Sequence, residues 1–153
     1  MTLEQLPGWA RDLIAAEPVA RLGLLDDRGH PRVLPITFAV FEGAIWSAID
    51  HKPKRSQGEP ARVRFLRRRP ESTITVDHYE EDWNRLAWVQ LLGQTLVLET
   101  AGNEAAVAAL CARYPAYRAR PPQGPLLRMV PERALCWRSS GADEEAERGQ
   151  SGR

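Results

Sequence analysis

The chain has only two cysteines, Cys111 and Cys136, and they are far apart. No CxxC pair and no Cys/His spacing of a zinc site occurs, so neither a disulfide framework nor a structural metal is expected. Both thiols are expected as buried packing residues of a reducing compartment. Long hydrophobic runs are also missing. None approaches the ~18 apolar residues that would cross a bilayer. Residues 1–9 lack the basic-then-apolar pattern of a secretory leader. A cytoplasmic protein that does not engage membranes is the expectation. Net charge is nearly absent, at +1. No global field therefore draws the chain to nucleic acid, and any electrostatic recognition must come from local clusters. No aromatic-basic stacking pattern offsets this, which argues against a nucleic-acid partner.

Three familiar motifs are absent. There is no G-x-G-x-x-G and no P-loop, which argues against a dinucleotide-binding Rossmann unit. There is no G-x-S-x-G around Ser47 or Ser56, which argues against a nucleophile-elbow hydrolase.

What remains is a chain of 153 residues, enough for one core. Leu3, Leu6, Trp9, Ala10, Leu13 and Ile14 recur at helical spacing. Thr2 and Gln5 have capping-box form, and Glu17-Pro18 ends the helix. Residues 19–25 read as a strand, 26–29 as a turn, and 30–40 as a second strand. Its internal Pro31 and Pro35 point to an edge or a bulge. Phe41-Glu42-Gly43 reads as a tight turn and 44–49 as a third strand. Residues 19–49 are thus expected to form an antiparallel meander. A polar loop follows at 50–60, and then a short helix at 61–69 with Val63 and Leu66 inward. Residues 72–77 read as a strand, and 83–99 as one long strand or two joined near Gly93. A helix is expected at 102–113 with Val107, Leu110 and Cys111 facing the core. Residues 114–125 read as an irregular loop and 126–138 as a strand interrupted at Pro131. The expected class is mainly β with short helices (α+β). The architecture is a split β-barrel of six or seven antiparallel strands over residues 1–138, with a disordered tail at 139–153.

Residues 50–69 carry the local charge. Lys52, Lys54, Arg55, Arg62, Arg64, Arg67, Arg68 and Arg69 face only two acids, Asp50 and Glu59. Lys52 and Lys54 alternate around Pro53 and would point to one side of an extended segment. With Arg62 arriving from the helix they could converge on one anion, such as a phosphate. The consecutive Arg67, Arg68 and Arg69 spread around a helix and suit a solvated face. Farther on, Trp88 and Gln90 share one strand face. They could line the pocket of a flat heterocycle or pack at a dimer interface. His78 has no second histidine at ligand spacing, so no metal is expected.

Residues 18–25 (Pro-Val-Ala-Arg-Leu-Gly-Leu-Leu) and 29–38 (Gly-His-Pro-Arg-Val-Leu-Pro-Ile-Thr-Phe) resemble the opening of the pyridoxamine 5′-phosphate oxidase-like split barrels. Residues 49–55 and 61–70 are similar to that family's phosphate loop and following helix. Asp77-His78-Tyr79-Glu80-Glu81-Asp82-Trp83, with Trp88-Val89-Gln90, resembles a mycobacterial and actinobacterial branch of coenzyme F420-dependent oxidoreductases. The resemblance implies a homodimer with F420, or alternatively FMN, bound at the subunit interface. It implies hydride transfer to a small planar substrate. Lys52, Lys54 and Arg62 would hold the cofactor's phosphate, and Arg55 and Arg64 would serve an acidic tail. Arg32, Val33, Leu34, Pro35, Thr37, Ser47, Ala48 and Ile49 would line the ring. Trp88 and Gln90 would come from the partner subunit. Phe65 stands where the family often has Asn, and Gln90 where it often has Arg. Non-catalytic cofactor binding, or haem binding through His51 or His78, are the alternatives the same fold offers. No dedicated acid or base stands out; His30, His51 and Tyr79 qualify by type alone.

Overall fold

The structure is a computed structural model that describes residues 1–49 and 58–141. Seven strands form one antiparallel sheet: β1 (Ala20–Leu25), β2 (Pro31–Ile36), β3 (Ala39–Phe41), β4 (Ala44–Ala48), β5 (Glu71–His78), β6 (Ala87–Leu98) and β7 (Leu126–Arg138). Among the described residues four short helices decorate it: α1 (Gly8–Ala16), α2 (Ala61–Arg68), α3 (Glu104–Arg113) and α4 (Pro115–Ala119). The strand order is β2-β1-β5-β6-β7-β4-β3. No helix among the described residues is long and apolar enough to cross a membrane.

The split-barrel expectation holds, and the expected meander does not. The single strand expected at 30–40 is two strands broken at Thr37 and Phe38. β2 pairs with β1 at one edge of the sheet, while β3 pairs with β4 at the other. The chain therefore crosses from edge to edge within two residues. The sheet is curled, because Ile36 from one edge and Ile45 from the other belong to the same buried cluster. That cluster also takes Leu22, Ile74, Val76, Val89, Leu91 and Met129 from the inner face, with Ala10 and Ile14 of α1 and Val63 and Leu66 of α2. A second cluster joins Trp46, Ala48 and Leu126 to Ala106, Leu110 and Tyr117 of α3 and α4.

Local chemistry accounts for the elements. The prolines of β2 sit on an edge strand, where a missing N–H costs no ladder bond. Glu42 and Gly43 both have positive φ, 48° and 69°, as a tight two-residue hairpin requires. β6 runs unbroken through Gly93, and β7 runs unbroken through Pro131. The irregularity is a bulge: Leu92 pairs with Arg133 and Gly93 with Pro131, leaving Glu132 as the extra residue. A Cβ at position 93 would lie 2.9 Å from the Val130 carbonyl oxygen, so only glycine fits this approach.

Other boundaries shift. Residues 83–85 form a 3-10 turn ahead of β6. The expected first helix begins as turns, and α1 proper starts at Gly8, although Gln5 does cap back onto Thr2 N at 2.8 Å. Residues 114–125 are not irregular throughout, since Pro115 opens α4 at the position where its missing N–H is harmless. Ala106 and Leu110, rather than Val107 and Cys111, are the buried residues of α3. Cys111 and Cys136 are half-buried rather than fully buried.

Candidate functional site

The break between β2 and β3 is held from outside the sheet. Arg113, at the end of α3, stacks its guanidinium 4.3 Å from the Phe38 ring centroid and donates to the Phe38 carbonyl at 3.0 Å. It also donates to the carbonyls of Ile14 (3.1 Å), Ala15 (3.2 Å) and Glu17, closing the C-terminal end of α1. The Tyr114 hydroxyl accepts from Phe38 N at 2.9 Å and reaches the carbonyls of Pro18 (2.8 Å) and Phe38 (2.9 Å). Burial pushes the Tyr114 phenol upward in pKa. The Tyr117 hydroxyl bonds the Thr37 hydroxyl at 2.8 Å.

Beside this break lies a cavity of about 150 Å³ lined by Val19, Pro35, Ile36, Thr37, Ser47, Ala48 and Arg62. It sits where the two edges of the curled sheet approach, at the split of the barrel. Five residues singled out from sequence meet there: Pro35, Thr37, Ser47, Ala48 and Arg62. Arg62 projects from the first turn of α2, and its Nε is buried with no hydrogen-bond partner among the described residues. A buried cationic N–H without an acceptor is costly unless something fills the position. The wall chemistry is one guanidinium, two hydroxyls and an apolar remainder, which suits the oxygen atoms of a phosphate with a carbon skeleton attached.

The other expected site residues lie elsewhere. Lys52, Lys54, Arg55 and His51 fall outside the described residues. Arg32 and Val33 are exposed toward the far end of β2; Val33 is 71% exposed and Arg32 approaches Asp26 at 3.7 Å. Leu34 packs on the core, and Ile49 is buried in it. Trp88 and Gln90 share the outer face of β6, opposite buried Val89. Trp88 stands across from Trp137, which is 44% exposed, and Gln90 stands across from Leu135.

The arginine run is less available than its sequence suggests. Arg67 makes a forked pair with Glu59, at 2.9 and 2.7 Å, and Arg68 approaches Asp27 at 3.6 Å. Arg64 lies over the Phe65 ring and has no ion pair among the described residues.

A larger cavity, about 550 Å³, opens between α1 and α3. It is mostly apolar, and of its polar wall residues Arg113 is already engaged by backbone carbonyls. The smaller cavity is the better candidate, since a buried cationic N–H without a partner among the described residues is there and not in the larger one.

His78 is an ion-pair hub. Its Nδ1 meets Glu17 at 2.9 Å and its Nε2 meets Glu80, tying the end of β5 to the end of α1. Both ring nitrogens are thus engaged, and neither is open to a haem iron in this arrangement. The bonds to Glu80 and Glu17 raise the His78 pKa against a smaller desolvation effect. The folded-state pKa lies above the unfolded value of about 6.5. The stabilisation is fully present below that value and is lost as pH rises through the folded pKa. Melting temperature should therefore fall as pH rises from about 6.5 through the folded pKa in the wild type, and His78→Gln should flatten that slope.

Arg113, Tyr114 and Tyr117 did not emerge from the sequence. The usable pattern was Tyr114-Pro115-x-Tyr117, two aromatics three apart around a helix-starting proline.

No protein-family model and no curated protein matches the sequence. Solved structures do match in fold. Conserved hypothetical protein Rv2991 of Mycobacterium tuberculosis superposes with a TM-score of 0.72 at 17% identity, over 91% of this chain and 88% of that one. The FAD and heme binding protein of Mycobacterium smegmatis gives 0.64 at 21% identity, over 90% and 75%. A protein of Clostridium acetobutylicum related to general stress protein 26, of the pyridoxinephosphate oxidase family, gives 0.60 at 16% identity, over 85% and 86%. The chain shares the split-barrel fold of these proteins.

Proposed function

We propose that the chain binds a phosphorylated flavin-class cofactor at the barrel split. Its role would be hydride transfer between that cofactor and a small planar organic substrate, with coenzyme F420 as the cofactor. The observation that carries the reading is the buried Arg62 Nε, without a partner among the described residues, on the wall of a cavity that also presents Thr37 and Ser47. Fold neighbours described as binding FAD and heme, or as pyridoxinephosphate oxidase family members, support it.

The residues present fit the phosphate end of such a group. Arg62 would bind phosphoryl oxygens through charge-assisted bonds. Thr37 and Ser47 would fix its orientation, and Ile36, Pro35 and Val19 would exclude water beside it. When bound, the cofactor supplies the hydride chemistry, while the protein supplies binding, orientation and electrostatics. The cavity, at about 150 Å³, is well under the ~300 Å³ at which pockets begin to enclose drug-sized ligands. A ring system must extend beyond it, and a second copy of the chain would cover it. The outward Trp88 and Trp137 offer an apolar surface suited to such a homodimer.

F420 carries an acidic tail that needs cations beyond Arg62, and Arg64 supplies one that has no ion pair among the described residues. FMN is the second reading. It is favoured by the ion pairs that occupy Arg67 and Arg68, because a single phosphate needs fewer cations. Fluorescence titration with each cofactor separates them. Tighter F420 binding, followed by substrate-dependent oxidation of the reduced form, supports the proposal. A preference for FMN moves the chemistry to flavin. Failure of both to bind at micromolar concentration overturns the cofactor reading.

A further inference from the structure

We infer that Tyr117 is a positioning residue that aims the Thr37 hydroxyl proton into the cavity at the barrel split. This rests on the flavin-class reading of that cavity. Tyr117 is only 7% exposed and lies on α4, in the second hydrophobic cluster rather than in the cavity wall. Its hydroxyl meets Thr37 Oγ1 at 2.8 Å, and Thr37 is in the wall. Neither hydroxyl makes another hydrogen bond among the described residues. Each carries one proton, and the shared bond uses only one of the two.

The phenol is the more acidic hydroxyl and so the better donor, while the alkyl hydroxyl is the better acceptor. Tyr117 therefore donates to Thr37. The Thr37 proton is then left without an acceptor among the described residues and is presented to the cavity. The opposite polarity would strand a phenolic proton in a nearly closed apolar cluster. The Tyr117 ring is fixed edge-on to Tyr114, with centroids 5.6 Å apart, and Tyr114 is itself bonded to the Phe38 backbone. The pair thus sets both the backbone at the β2–β3 break and the direction of the hydroxyl beside it. The ligand group this selects is an oxygen acceptor, either a phosphoryl oxygen or a ring carbonyl.

The test is a binding cycle on the full chain with Tyr117→Phe, Thr37→Val and the double variant. The probes are FMN with riboflavin, or F420 with its phosphate-free chromophore, whichever pair the wild type binds. Tyr117→Phe keeps the ring and removes only the hydroxyl. Its dissociation constant should rise about 3- to 10-fold, as loss of one hydrogen bond gives. Adding it to Thr37→Val should produce little further change. A loss with the phosphorylated probe alone assigns the acceptor to the phosphate, and an equal loss with both assigns it to the ring. A lower melting temperature with unchanged affinity, or losses that add in the double variant, would make Tyr117 merely structural and overturn the inference. Absence of wild-type binding to every probe would instead remove the cofactor reading on which it rests.

Discussion

Replacing Arg62 by methionine should weaken cofactor binding about 10- to 100-fold while leaving the melting temperature equal or higher. The two effects have opposite signs for one reason. Arg62 Nε is buried without an acceptor among the described residues, so in the absence of ligand that N–H contributes a desolvation cost rather than a bond. Methionine keeps a long flexible apolar stem and removes that cost. With ligand, the same group would make charge-assisted hydrogen bonds of about 1.5–3 kcal/mol, which sets the expected loss of affinity. Paired titration and thermal melts of the two proteins check both halves. A methionine variant that melts lower and binds as well as the wild type would mark Arg62 as a structural residue.

Arg113→Met should have the largest effect on stability, a loss of about 3 kcal/mol or more. The guanidinium serves four carbonyls, those of Ile14, Ala15, Glu17 and Phe38, and covers the Phe38 ring. Phe38 is itself fully buried. Methionine would leave carbonyls at the end of α1 and at the β2–β3 break without their donor, and charged donors are the costly ones to lose. Because Thr37 adjoins the same break, affinity for the cofactor should fall as well. Urea unfolding gives the first quantity and titration the second. A midpoint within experimental error of wild type would show that water replaces the clamp at no cost, contrary to the geometry.

Sequence pattern and structure part company at identifiable residues. Local chemistry was legible where neighbours in the chain decide the outcome. Glu42-Gly43 turns the chain where a hairpin turn was expected, and Pro31 and Pro35 mark an edge strand. Val63 and Leu66 of α2 face inward as their spacing predicts. The break at Thr37 and Phe38 was not legible, because it is imposed by Arg113 and Tyr114, some 75 residues later in the chain. A run of β-forming residues does not announce that a distant guanidinium will hold it apart.

The site divides in the same way. Pro35, Thr37, Ser47, Ala48 and Arg62 line one cavity because they lie on strand ends and a helix start that the fold brings to one split, whereas the resemblance assigned the first four to the ring and Arg62 to the phosphate. The basic run at 67–69 reads as a solvated face, and only its ion pairing was hidden. Composition registers Arg67 and Arg68 as cations but cannot register that Glu59 and Asp27 hold them. Tyr117 was hidden in a stretch that read as irregular, and its partner Thr37 is eighty positions away.

The barrel split is proposed to hold the phosphate of a flavin-class cofactor. A crystal structure of the chain grown with the tighter-binding of F420 and FMN tests it most directly. The expected result is phosphoryl oxygen within hydrogen-bond distance of Arg62, with the ring emerging between two copies of the chain. Cofactor density located away from Arg62, Thr37 and Ser47, for instance in the groove between α1 and α3, would contradict it.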